Sequence, residues 1–327
     1  MFIIHPTVRV GLSLLLASSA LAPLGAASAA FPEKRITMVV PFPAGGASDL
    51  AARILSEPLA RVLGQPVVVD NVGGGAGVIV AAKVVRADKD GYTVMLGSVN
   101  ETVLGPITNP SVQYKFTDFA PLAKVGSSAF MVIGRKGLEA NNIDELIALA
   151  RKSPGTLSFG STGLGSYQQI VMESVQQLSG TSMLHVPYRG GSPMLADVLG
   201  GQIDLGVALP TMVLPQINDG RIKTFGFTGR GRDAAAPQIP SINEGKSFDS
   251  IDFVFWFGIF APAGVPDDVR KSWATAMTTV LAEPAVSKKL AENGLSIPAE
   301  AEQAAFASFI KDEDVKLRAV ADKVKFY

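Results

Sequence analysis

Ile36-Thr37-Met38-Val39-Val40, running into Pro41-Phe42-Pro43-Ala44-Gly45-Gly46-Ala47-Ser48-Asp49, is the stretch on which the fold turns. Five residues rich in β-branched side chains read as a strand. Prolines and glycines stop it, and residues 48–63 then carry a helix-period pattern whose entry is marked by Ser48-Asp49 after a Gly-Gly turn. A strand passing through a glycine turn into a helix is one step of an α/β chain.

The same step recurs outward from this point. Strands are predicted at Ile36–Val40, Val67–Asp70, Tyr92–Gly97, Phe130–Gly134, Leu157–Gly160, Leu184–Pro187, Asp204–Leu209, Ile222–Thr228 and Phe253–Ala261. Helical patterns lie between them at Ser48–Leu63, Val78–Ala87, Ile143–Lys152, Tyr167–Leu178, Met194–Leu199 and Met212–Asn218. Past Ala261 the pattern is purely helical, at Asp267–Leu281, Ala285–Asn293 and Glu300–Lys323. Asn142 with Glu145 three residues on reads as a capping box, and Gly180 and Gly220 sit where helix C-caps belong. Alternation of this kind implies α/β architecture with largely parallel sheets. There is no long linker and no internal repeat, so two lobes would be joined by crossing strands, for which Phe130–Gly134 and Phe253–Ala261 are the candidates. That division makes lobe one residues 30–132 plus 254–327 and lobe two residues 133–253.

Residues 1–29 read as a secretory signal peptide: Arg9, an apolar run through Leu21, and the cleavage pattern Ala27-Ser28-Ala29. The apolar core is short for a membrane span, and no second stretch supplies one. The expected location is therefore the periplasm, without direct membrane insertion. The whole chain carries 29 basic and 29 acidic residues, which argues against nucleic acid as a partner. It has no cysteine, which removes thiol nucleophiles, thiolate metal sites and a lipid-modified anchor. Of the two histidines, His5 leaves with the leader and only His185 remains, so a multi-histidine metal site is not available. No cofactor and no metal is expected.

Four strand-to-helix turns are rich in glycine and hydroxyls and poor in charge: residues 41–49, Gly97-Ser98-Val99-Asn100-Glu101-Thr102, Gly160-Ser161-Thr162-Gly163-Leu164-Gly165-Ser166, and Pro187-Tyr188-Arg189-Gly190-Gly191-Ser192-Pro193. In parallel sheets such turns lie at the carboxyl ends of strands, where ligands bind. Glycine admits close backbone approach, and the helix N-terminus that follows offers free N–H groups and partial positive charge. Any one of them is equally an ordinary tight turn. Four in a chain without a catalytic set favour an anion cradle shared between two lobes.

Other motifs carry less. Gly245-Lys246-Ser247 resembles the end of a phosphate loop, but Pro240 stands where its first glycine belongs. Gly73-Gly74-Gly75-Ala76-Gly77 lacks dinucleotide-fingerprint spacing and reads as a turn or helix entry. Asn100-Glu101-Thr102 matches a glycosylation sequon, a pattern that often occurs by chance. No hydrolase elbow G-x-S-x-G occurs. His185 reads as a packed strand residue, and Phe253–Phe257 as core or crossing strand.

With these turns in view, the chain resembles the Bug-type solute receptors of tripartite tricarboxylate transporters. The likeness is carried by residues 36–46, Gly64-Gln65-Pro66-Val67-Val68-Val69-Asp70-Asn71, Asp90-Gly91-Tyr92-Thr93, His185-Val186-Pro187-Tyr188-Arg189-Gly190-Gly191 and residues 197–204, in that order. The resemblance implies a type II periplasmic binding-protein fold, two α/β lobes joined by crossing strands, closing on a small di- or tricarboxylate, acidic amino acid or aromatic carboxylate. It implies delivery of that ligand to a two-subunit membrane permease driven by an ion gradient, no enzymatic activity, and a monomeric receptor. By position, the first turn would bind through Phe42, Ala44, Gly45, Gly46, Ala47, Ser48 and Asp49, and the third through Ser161, Thr162, Gly163, Gly165, Ser166 and Tyr167. Ser98, Glu101 and Thr102 belong to the second turn. Tyr188, Arg189, Gly190, Ala208, Pro210 and Thr211 would line the second-lobe wall, with Arg189 as the direct anion partner. Many relatives place histidine near the positions of Thr102 and Tyr167; here Glu101 enters the second turn instead, either to read a ligand amine or hydroxyl or to point away.

Two other functions use the same residues. A sensory binding protein would present the carboxylate to a signalling partner. An exported hydrolase would use Ser161 or Ser166 with His185, and needs His185 within hydrogen-bond reach of a serine with a carboxylate behind it.

Overall fold

Strand β1 (Ile36–Val40) enters helix α1 (Ala47–Leu63) through the glycine turn, and α1 ends at Gly64 in the left-handed conformation (φ 71°). The computed structural model describes residues 1–3, 31–233, 236–246, 248–249, 251–298 and 303–322. The predicted leader lies outside the described residues except at its first three positions. The chain divides into Met1–Ala30 and Phe31–Tyr327, and every element below belongs to the second unit.

After α1 come β2 (Val67–Asn71), α2 (Val78–Val85) and β3 (Thr93–Ser98). The three strands pair in parallel in the order β2-β1-β3. A π-helical turn, Asn100–Leu104, and the short α3 (Gly105–Thr108) lead to β4 (Phe119–Ala129). The second sheet takes β5 (Met131–Arg135), α4 (Ile143–Lys152), β6 (Ser158–Ser161), α5 (Tyr167–Ser179), β7 (Leu184–Pro187), α6 (Gly191–Leu199), β8 (Leu205–Ala208), α7 (Pro210–Asn218) and β9 (Ile222–Phe227). The chain returns as β10 (Val254–Pro262) and ends in α8 (Asp267–Ala282), α9 (Pro284–Glu292) and α10 (Gln303–Ala321). Among the described residues no helix is long and apolar enough to cross a membrane.

Each sheet has five strands, ordered β2-β1-β3-β10-β4 and β7-β6-β8-β5-β9. Both are mixed rather than mostly parallel. In the first, β10 runs antiparallel to β3 and β4; in the second, β5 runs antiparallel to β8 and β9. The reason is the crossing. A strand arriving from the other lobe enters its new sheet against the direction of the βαβ strands already there.

β4 was not anticipated. Its sequence contains Pro121, Lys124 and Gly126, which demote a strand pattern. It forms because it is the edge strand, where a missing N–H is tolerated, and because Lys124 lays its ammonium 3.8 Å from the centre of the Phe309 ring. β4 passes directly through Phe130 into β5, so this continuous segment is the first crossing. The second runs from β9 to β10, and Thr228 ties the two together. Its N–H donates to Phe130 O (2.8 Å), and Phe253 N–H donates to Thr228 O (2.9 Å). Its Oγ1 accepts from Phe130 N–H (3.1 Å) and donates to Phe253 O (2.8 Å).

The cap of α4 forms as read in part: Asn142 Oδ1 accepts from Glu145 N–H (2.9 Å), while Glu145 reaches back to Asn141 N–H (2.8 Å). Gly180 caps α5 at φ 61°. The terminal helices close the first sheet. Trp273 is fully buried and donates from Nε1 to Gly91 O (3.2 Å). The Phe306 ring of α10 lies where a Cβ on Gly258 would stand, so β10 accepts only glycine there.

Candidate functional site

Residues that directly follow β1, β3, β6, β7 and β8 converge on one cavity between the two sheets. It encloses about 440 Å³ of space between atoms, part of it open to solvent. Phe42, Pro43, Gly46, Ala47, Ser48 and Asn100 line it from the first lobe, and Thr162, Gln168, Gly191, Val207, Ala208, Leu209 and Met212 from the second. Phe255 and Phe257 of β10 complete the wall. The carboxyl ends of strands in two facing α/β sheets put it there.

From the first turn, Gly46 is the N-cap of α1 and supplies no side-chain cap. The first N–H groups of that helix are therefore left for another acceptor. Ala47 and Ser48 line the cavity beside it, whereas Ala44 and Gly45 are exposed and off the lining. Asp49 is buried but serves the turn itself. Its carboxylate accepts from Gly45 N–H (2.9 Å) and from Arg53 Nε (3.0 Å). Burial pushes its pKa up, and the Arg53 and Gly45 bonds more than offset this, holding it below the usual value.

In the second turn the lining residue is Asn100, not Glu101. The Glu101 carboxyl folds back on Ser98, accepting from its N–H and from its Oγ (2.8 Å). It is wholly buried, and burial raises its pKa to about 8 against the pull of the Ser98 bonds. Thr102 Oγ1 donates to Ser98 O (2.5 Å). Ser98, Glu101 and Thr102 thus form a brace behind the cavity. Asn100 is 1% exposed, which puts its side chain out of an enzyme's reach in the folded chain.

The third turn supplies Thr162 to the lining and keeps the rest for its own shape. Ser161 Oγ lies 2.6 Å from His185 Nε2. It also donates to Gly163 O (3.0 Å) and accepts from Gly163 N–H (3.2 Å). With the serine hydrogen directed to Gly163 O, the His185 Nε2–H is the donor in the pair. The ring stacks on Phe159 at 4.8 Å, and burial lowers its pKa to about 4. Ser161 is fully buried and off the cavity lining, and among the described residues no carboxylate bonds to His185. This is a turn brace.

Ser166 caps α5, accepting from Gln169 N–H (3.4 Å), and Gly165 N–H donates to Gln169 Oε1 (2.8 Å). Tyr167 does not reach the cavity. Its ring packs among Phe130, Phe253 and Phe255, and its hydroxyl donates to Val254 O (3.4 Å).

The lobes touch on both flanks of the cavity. On one, Asn100 Oδ1 accepts from Tyr167 N–H (2.7 Å) and Thr108 Oγ1 donates to Gly165 O (3.2 Å). There Gly163 takes φ 136°, which strains any side chain, and a Cβ would crowd Ala76 N at 3.1 Å. Ala76 itself has φ 51° within the glycine run 73–77, which forms the entry to α2. On the other flank, Gly190 faces Pro43, whose Cδ would lie 2.7 Å from a Cβ there.

In the fourth turn, Gly190 is an N-cap without a capping side chain, and Gly191 lines the cavity. Ser192 Oγ is buried without a hydrogen-bond partner and lies 3.9 Å from where a Cβ on Gly46 would stand. Tyr188 donates to Asp197 (2.7 Å) away from the lining, and Arg189 is exposed and off the cavity. Ala208 lines the wall. Pro210 begins α7, and Thr211 Oγ1 is buried without a partner.

Among the described residues the cavity therefore has no charged side chain on its wall. Sequence reading anticipated Phe42, Gly46, Ala47, Ser48, Thr162 and Ala208 there. It missed Asn100, Gln168, Val207, Met212 and the two phenylalanines of β10. Strand alternation carried the signal for the last pair, since Phe255 and Phe257 share one face of β10 while Trp256 packs on Phe306 and Phe309 behind it.

Residues 51–326 match the model of the tripartite tricarboxylate transporter family receptors. Among similar proteins is BugT of Bordetella pertussis, 31% identical, with 86% of this chain and 87% of BugT covered. The periplasmic binding protein BugD superposes with a TM-score of 0.85 at 29% identity, over 90% of this chain and 98% of BugD. Rpa4515 of R. palustris, solved with adipate, gives a TM-score of 0.85 at 28% identity, over 89% and 97% of the two chains.

Proposed function

The chain belongs to the tripartite tricarboxylate transporter family of receptors, as a periplasmic solute-binding protein, and on that premise we propose that it captures a small carboxylate and hands it to a two-subunit membrane permease driven by an ion gradient. One observation carries the reading. The uncapped N-termini of α1 and α6, one from each lobe, meet at a single interlobe cavity whose wall, among the described residues, bears no charged side chain. Backbone N–H groups aimed into a partly desolvated space stabilise an anion without a lysine or arginine. Rpa4515, which is similar to this chain, was solved with a carboxylate, adipate.

On this reading the anion is held by Phe42, Gly46, Ala47 and Ser48 of the first turn and by Thr162, Gly191 and Ala208 of the second lobe. Lobes of residues 30–132 plus 254–327 and 133–253 close on it, and the receptor works as a monomer exported by a cleaved leader. The test is a thermal-shift screen of mono-, di- and tricarboxylates, amino acids and aromatic acids against the purified protein. A true ligand at about 100-fold above its Kd stabilises the fold by about 2.7 kcal/mol. No shift from any carboxylate would overturn the reading.

The Ser161–His185 contact is the one observation that favours a hydrolase. His185→Gln separates the two. A receptor keeps ligand binding and shows no turnover before or after the change, whereas a hydrolase loses turnover.

A further inference from the structure

The Gln168 side chain is 6% exposed and lines the cavity. Its orientation is fixed by a chain of bonds that starts on the backbone. Tyr167 N–H donates to Asn100 Oδ1 (2.7 Å), so the other end of Asn100, its Nδ2, faces Gln168 (3.5 Å). A donor facing Gln168 requires its oxygen there, and Thr162 Oγ1 donates to the same Oε1 at 2.9 Å. The Gln168 amide nitrogen is thereby placed at the opposite end, and it bonds to none of the described residues. An accessible NH₂ with no protein partner, on a residue of the cavity wall, is open to an acceptor from a guest.

The rest of the wall limits that guest. A helix N-terminus is worth about half a positive charge. α1 and α6 together thus offset about one carboxylate. The other two helices at the site add little. α5 is already capped by Ser166; α7 begins with Pro210, which has no N–H, and Met212 N–H bonds to Leu209 O. Val207, Leu209, Met212, Phe255 and Phe257 make the rest of the lining largely apolar. A second carboxylate would meet this apolar wall with no cation to pair with it, a costly burial.

We infer that Gln168 is a specificity-determining donor and that the cavity selects a small monocarboxylate with a compact apolar body over di- and tricarboxylates. This rests on the carboxylate-receptor reading above and narrows it. Benzoate is the probe, compared with malate, adipate and citrate by calorimetry on the full mature chain. Benzoate is expected to bind at least about ten-fold tighter than any of the three. Gln168→Glu keeps an oxygen toward Thr162 and Asn100 but replaces the NH₂ with negative charge. It is expected to weaken benzoate about ten-fold or more with the melting temperature of the free protein retained. Gln168→Met, which removes the donor without adding charge, is expected to weaken benzoate in the same direction and serves if Gln168→Glu does not fold. Tighter binding of a di- or tricarboxylate, or benzoate affinity unchanged in the variants, overturns this inference and leaves the receptor reading standing. Failure of all four acids together with the wider screen overturns both.

Discussion

Thr228 and Phe130 exchange two hydrogen bonds, Thr228 N–H to Phe130 O at 2.8 Å and Phe130 N–H to Thr228 Oγ1 at 3.1 Å, at the point where both chain crossings pass between the lobes. Both residues are fully buried. The threonine hydroxyl also donates to Phe253 O, so a single side chain satisfies main-chain groups on both crossings. Thr228→Val leaves Phe130 N–H and Phe253 O unpaired in the interior and is expected to cost about 1–3 kcal/mol in urea unfolding. Thr228→Ser, which restores the hydroxyl, recovers most of it. Equal stability of the valine variant would remove the tie from the account of the crossing.

Gly46→Val places a branched side chain on the cavity wall at a backbone conformation (φ −83°) that valine accepts. Its Cβ would stand 3.3 Å from Pro43 O, so the turn gives only slightly. Melting of the free protein is expected to change little, and the ligand-induced thermal shift to disappear. Retention of that shift argues that the guest sits elsewhere.

Glu101 gives a pH signature. Burial holds its carboxyl at about 8 in the folded chain against 4.5 when free. The folded state thus keeps a proton that the unfolded state releases. Its contribution to stability is whole below about pH 4.5 and is lost as pH rises through about 8. Urea midpoints measured between pH 5 and pH 8 should fall with rising pH, and Glu101→Gln should flatten the slope. A wild-type profile no steeper than that of the variant would mean the carboxyl is ionised in the fold.

His185 acts in the opposite sense. Burial lowers its pKa to about 4 from 6.5, so the unfolded chain takes up a proton that the folded one refuses. The stability it contributes is whole above pH 6.5 and declines as pH falls toward 4. The difference in urea midpoint between His185→Gln and the parent should change over that interval. A constant difference places the imidazole in a more solvated setting.

How much of this was legible in the residues alone differs by kind of signal. β1 and its glycine turn were plain, because β-branched runs and Gly-Gly turns are local signals. β4 was hidden, since Pro121 and Lys124 make sense only once its place at a sheet edge and the Phe309 ring are known. The antiparallel entry of β5 and β10 is likewise a property of the crossing, which no window of sequence contains. At the site, glycines and serines of the turns were marked, whereas Asn100 and Gln168 read as ordinary polar residues until their mutual bond across the lobes is seen. Arg189 and Glu101 attract notice by charge, and the fold sends one to solvent and the other into its own brace.

β10 has one more implication. Its alternate side chains serve two masters: Phe255 and Phe257 furnish the rear of the cavity, while Trp256 between them leans on Phe306 and Phe309 of the final helix. Helix α10 is therefore a buttress for a chamber whose lining it does not join. Shortening the chain at that end, or hanging a bulky fusion there, should alter what the receptor accepts before it alters whether the receptor folds.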